Sequence, residues 1–133
     1  MVAFQPHRYT RTASLLNAFG PALAAADHVV LTDIYAAGED PIAGATLDAL
    51  ADAVRASIAG AVDVAPTLDD LIAAVVRTAR RGDVVITLGA GSIGGVPERL
   101  IAALGGDRPA ADALVRQSAP GRRSPDDSEG EAS

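Results

Sequence analysis

Three short stretches gather the residues that could do chemistry. The first is Pro6-His7-Arg8-Tyr9-Thr10-Arg11-Thr12. Arg8 and Arg11 stand three positions apart, close enough to converge on one anion, and each guanidinium fork matches a carboxylate or phosphate at two points. Where such a stretch opens a helix, the unpaired N–H groups of the first turn add donors and a favourable dipole. The alternative is a solvated basic turn over packed His7 and Tyr9, and spacing alone leaves both open. In the second stretch Asp33, Glu39 and Asp40 could hold an ammonium group or a metal ion. Residue types favour the plainer reading, with Asp33 capping a loop and the other two solvated. Histidine ligation of a metal is not expected, because His7 and His28 fall at opposite ends of a predicted helix.

The third stretch, Gly89-Ala90-Gly91-Ser92-Ile93-Gly94-Gly95, fits the dinucleotide fingerprint G-x-G-x-x-G. That fingerprint belongs to the first strand–helix unit of its fold, and here it falls in the last. The acidic residue expected ~20 positions on should end a strand, whereas Asp112 lies in a degenerate tail. The better expectation is a glycine turn that lets a backbone or ligand come close, with Ser92 able to donate to an anion. A tight turn without a ligand is the other reading. No nucleophile–base pair stands out, so no catalytic residue is assigned.

The elements that must position these loops alternate. Strands are expected at Val2 to Gln5, His28 to Asp33, Ala61 to Ala65 and Asp83 to Leu88. The near-continuous apolar runs HVVLTD and DVVITL have the pattern of strands buried on both faces of a parallel sheet. Helices are expected from Thr12 to Ala26, with Leu15, Leu16, Phe19 and Leu23 on one side, and from Thr46 to Ile58. Thr67 and Asp70 form a capping box that opens a third helix, stopped at Gly82. A fourth runs from Pro97 to Leu104. Gly20-Pro21 should kink or split the first helix. The alternation predicts an α/β fold, a Rossmann-like parallel sheet flanked by helices, with ligands at the carboxyl ends of the strands.

Composition narrows the field. The chain has 133 residues and a net charge of −6, a poor match for nucleic acid or anionic membrane. One domain over residues 1–105 and a disordered tail over 106–133 are expected, with at most a short helix at Ala110 to Gln117. All 11 basic residues are arginine, so the chain carries no P-loop lysine. It has no cysteine, which excludes thiol catalysis. No apolar run approaches ~18 residues, and the N-terminus lacks a signal pattern, so a cytoplasmic protein is expected.

FQPHRYTRT (Phe4 to Thr12), DIYAAGEDPIAGA (Asp33 to Ala45) and GDVVITLGAGSIG (Gly82 to Gly94) together resemble the third domain of the Mur ligases, in order and spacing, over Val2 to Leu104. The resemblance implies an ATP- and Mg-dependent ligase that joins L-alanine to UDP-N-acetylmuramate in peptidoglycan precursor synthesis, and so serves cell-wall building, cell shape and division. It implies three domains, of which the UDP-binding and ATPase domains are absent here. The third would close over the others and bring the amino acid. His7, Arg8 and Arg11 match the loop implied to line the alanine site. Tyr35, Ala36, Gly38 and Glu39 match the loop facing substrates and middle domain. Gly91 and Ser92 lie in the glycine turn by the same cleft. No metal ligand is implied in this chain.

The sequence departs from the family in lacking the acidic, histidine-rich run and the helix that usually open the third domain. The domain is therefore expected to be N-terminally truncated, with a sheet edge or a helix-covered face left bare, and inactive alone. The alternative is a free-standing Rossmann-like module for a nucleotide or small acid.

Overall fold

The structure is a computed structural model that describes residues 1–105. The expected disordered tail, its short helix and Asp112 lie outside the described residues.

Four strands, β1 (Val2–Phe4), β2 (His28–Leu31), β3 (Ala61–Val64) and β4 (Ile86–Leu88), form one parallel sheet in the order β3-β2-β1-β4. Between them run α1 (Tyr9–Leu23), α2 (Leu47–Arg55) and α3 (Leu68–Thr78). A 3₁₀ turn (Ser92–Gly95) and α4 (Val96–Ala103) follow β4. The chain steps outward from β1 to β3, then crosses back to place β4 on the far side of β1. Right-handed crossovers put the helices of opposite steps on opposite faces, and the core divides that way. Val29 and Leu31 pack with Leu50 and Val54 beneath α1 and α2; Ala3 and Val30 pack with Leu71, Val75 and Val96 beneath α3 and α4. Thr46 and Thr67 cap α2 and α3, and the Thr67–Asp70 capping box forms as its spacing predicts.

Three expectations need correction. First, α1 begins at Tyr9, not Thr12. The Arg8 carbonyl accepts from both the Thr12 amide (3.1 Å) and the Thr12 hydroxyl (2.7 Å), which closes the first turn early.

Second, Gly20-Pro21 does not split α1. Pro21 falls in the last turn, where its missing N–H removes one bond and little helix remains to bend. Gly20 has a packing reason: a Cβ there would stand 2.4 Å from Ser57 Oγ and 2.7 Å from the Ala53 carbonyl oxygen. Its absence lets α1 and α2 meet.

Third, Asp83 to Leu88 is not a strand buried on both faces. Arg80 to Asp83 is a turn, closed by the Asp83 amide on the Arg80 carbonyl (3.0 Å) and by the Arg80 amide on the Asp83 carboxylate (2.8 Å). Only Ile86–Leu88 pairs with β1. Among the described residues β4 ends the sheet and no helix covers its α1-side face, so Val84, Ile86 and Leu88 are 66%, 48% and 40% exposed. An apolar groove of about 330 Å³ runs beside them, floored by Met1, Val2, Leu23 and Ala26.

Smaller shifts follow from pairing. β1 and β2 stop at Phe4 and Leu31, short of Gln5 and Asp33, although the ladder continues as single bonds. The Gln5 amide reaches the Leu88 carbonyl (2.9 Å) and the Thr32 amide the Phe4 carbonyl (3.1 Å).

Candidate functional site

The three chemistry-bearing loops meet at the carboxyl end of the sheet, around β1. Steps from β1 to β2 and from β3 back to β4 run in opposite directions, so the β1–β4 crevice is the topological switch point where such folds take ligands.

The first two loops extend the β1–β2 pairing. The Tyr35 amide donates to the Pro6 carbonyl (2.9 Å), the Arg8 amide to the Tyr35 carbonyl (2.8 Å), and His7 bridges Tyr35. The His7 and Tyr35 rings stack, with centroids 5.6 Å apart and planes 11° apart. His7 Nδ1 is buried and has no hydrogen-bond partner among the described residues. Arg8 sits at the N-cap of α1 with φ 69° and ψ 141°, a left-handed conformation that costs a non-glycine residue roughly 1–3 kcal/mol. The bonds on both of its backbone groups hold it there.

That conformation sends Arg8 onto the surface of α1, beside Arg11. Both line one open depression of about 400 Å³, together with Thr10, Ser14 and the half-exposed Leu15. Both residues thus border the same depression, and among the described residues neither guanidinium forms an ion pair.

The helix N-terminus itself is taken. The Glu39 carboxylate accepts from the Thr10 amide (3.4 Å) and the Thr10 hydroxyl (3.1 Å from Oε2). Ala37 and Gly38, at φ 50° and 85°, turn the loop back so that Glu39 reaches α1. The Thr10 hydroxyl holds the Glu39 carboxyl below the usual carboxylate range, with the Thr10 amide, Arg8 and His7 adding to the effect. Asp33 caps its own loop, accepting from the Ile34 amide (2.8 Å). Among the described residues no group of three or more His, Asp or Glu side chains is placed to hold a metal. The His28 Nε2 lies 2.8 Å from Asp63 Oδ2 and ties β2 to β3.

In the glycine turn, a Cβ at Gly91 would stand 2.5 Å from Tyr35 Cγ, so the ring lies on the turn. Ser92 is not a spare donor. Its hydroxyl meets the side chain of Gln5, with Nε2 3.1 Å and Oε1 3.4 Å away, and Oε1 also accepts from the Ile93 amide (3.0 Å). The Gly94 amide donates to the Gly91 carbonyl (3.2 Å). The Ile93 and Gly94 amides of the turn are thus in use.

Sequence reasoning missed Gln5 and Thr10. Gln5 had a signal: two positions after Ala3, it falls on the buried α3 side of the sheet, where a polar side chain requires partners. Thr10 had none, because its partner lies 29 residues away.

The family described as "Mur ligase, glutamate ligase domain" matches residues 2–91. The UDP-N-acetylmuramate–L-alanine ligase of Burkholderia cenocepacia is 53% identical over 103 residues, 76% of this chain and 22% of that protein. The ligase of the same name from Burkholderia thailandensis is 53% identical over 102 residues, 75% of this chain and 22% of its own length. The chain therefore spans about a fifth of the length of these relatives, in their C-terminal part. On the extent of that match, this chain belongs to the Mur ligase family, through its glutamate ligase domain.

Proposed function

We propose that this domain presents the amino acid to a UDP-N-acetylmuramate–L-alanine ligase, so that an amide bond can form on the muramoyl carboxyl. The observation that carries the reading is the paired Arg8 and Arg11, held over one depression by a strained backbone. Two guanidinium groups there would clamp the alanine carboxylate and leave its amine free to attack. Leu15 would lie near the methyl group. His7, Tyr35, Gly38, Glu39, Gly91 and Ser92 shape the surrounding cleft. ATP and magnesium belong to the ligase outside these residues, and so does the UDP-sugar site. No step of the phosphate chemistry falls to this chain, which alone forms no amide. A cytoplasmic place of action goes with the reading.

The bare flank of β4 supports a place within a larger enzyme. A right-handed crossover entering β1 from a strand beyond β4 would lay its helix on the α1 side, over Ile86 and Leu88. We assign that groove to a helix of the ligase outside residues 1–105.

The test is a titration of L-alanine into the chain, followed by arginine side-chain NMR. Arg8 and Arg11 signals are expected to move, and Arg8→Ala or Arg11→Ala to weaken binding by ~1.5–3 kcal/mol each, the worth of a charge-assisted bond. Binding that is indifferent to both substitutions would remove the clamp.

A further inference from the structure

The switch-point crevice between β1 and β4, where an α/β sheet would admit a ligand, is filled by a side chain of the protein. Gln5 is 6% exposed and spends its carboxamide wholly on the glycine turn: Nε2 on Ser92 Oγ, and Oε1 on the Ile93 amide and Ser92 Oγ. Its backbone joins in. The Gln5 amide donates to the Leu88 carbonyl, and a Cβ on Gly89 would stand 2.8 Å from the Gln5 carbonyl oxygen. The first glycine of the fingerprint therefore serves Gln5, and the second, Gly91, serves the Tyr35 ring. Tyr35 in turn receives the Arg8 amide and donates its own to Pro6. The contacts close a ring: Gln5, the 89–93 turn, Tyr35, Arg8, and back along the chain to Gln5.

We infer that Gln5 is a positioning residue for the amino-acid carboxylate. It locks the glycine turn, the turn seats Tyr35, and Tyr35 holds Arg8 in the strained conformation that aims its guanidinium beside Arg11. The inference rests on the proposed clamp, but the lock can be read without any ligand. The glycine motif, on this view, is spaced for internal packing and not for a dinucleotide.

The experiment uses the full 133-residue chain, with amide hydrogen exchange and an L-alanine titration on wild type, Gln5→Ala and Gly91→Ala. Gln5→Ala strands the buried Ile93 amide, so Ile93 is expected to exchange about tenfold to a hundredfold faster. The Arg8 amide should speed up with it, while the Leu50 amide, in α2, keeps its wild-type rate. Alanine affinity should fall about tenfold although both arginines remain. Gly91→Ala pushes directly on Tyr35 and should speed Arg8 exchange while Ile93 stays protected by Gln5, which keeps the test open if Gln5→Ala does not fold. An Arg8 amide that is indifferent to the substitutions overturns the lock. A loosened Arg8 with unchanged alanine affinity overturns its role in positioning. If the wild type binds no alanine, the clamp fails on its own account, and the coupling of Ile93 to Arg8 still decides the lock.

Discussion

At the carboxyl end of the sheet, three loops from distant parts of the chain fasten to one another. Gln5 grips Ser92 and Ile93, Tyr35 grips Pro6 and Arg8, and Glu39 grips Thr10. On the flank of β4 the same sheet ends in a row of uncovered apolar side chains, Val84, Ile86 and Leu88. The contrast teaches that the two ends are satisfied by different means. A polar loop needs only a few directed bonds, which its own neighbours can supply. An apolar face needs area, roughly 25 cal/mol for each Å² covered, and only another element can provide it. The loop end is fastened within this domain, whereas no described element covers the flank.

Arg8→Gly probes the fastened end most strongly. Glycine adopts φ 69° without penalty, so the chain is expected to gain ~1 kcal/mol in denaturant unfolding while losing alanine affinity. A loss of stability would show that Arg8 is not strained, and the contrast between a costly functional end and a passive flank would weaken.

Ile86→Ser probes the other region. Ile86 is half exposed, so the fold is expected to change by no more than ~0.5 kcal/mol. Self-association in sedimentation, driven by the bare face, should fall. A cost of several kcal/mol would mean that the flank is already part of the core.

The smallest effect is a matter of pH. The Glu39 carboxyl is held below its ordinary value, chiefly by the Thr10 hydroxyl, so its fastening to α1 is intact at neutral pH. It is lost as pH falls through that lowered pKa. The Thr10 amide shift should titrate with a midpoint below that of a free carboxylate, and Glu39→Gln should abolish the step. A midpoint at the ordinary value would remove the latch.

Much of this was legible in the residues. Apolar runs and capping signals marked the strands and the starts of α2 and α3, since those depend on neighbours three or four positions away. Arg8 and Arg11 border one depression because residues three apart at a loop–helix junction stay neighbours. What failed to show is equally specific. Asp83 to Leu88 reads as a buried strand because its composition is apolar, yet burial depends on a covering element that those six residues cannot encode. Ser92 reads as a ligand donor because its partner, Gln5, is 87 positions away.

The sequence by itself determined the elements, their order and the three loops that carry chemistry, because local periodicity and turn chemistry act over a few residues. Only the tertiary structure decided which polar groups remain available. Gln5 occupies the crevice that the glycine motif advertises, Glu39 occupies the helix N-terminus, and Arg8 and Arg11 form no ion pair among the described residues. Hydrogen bonds between loops link residues far apart in the chain, and a donor's freedom is settled only when folding brings its competitor within hydrogen-bonding distance.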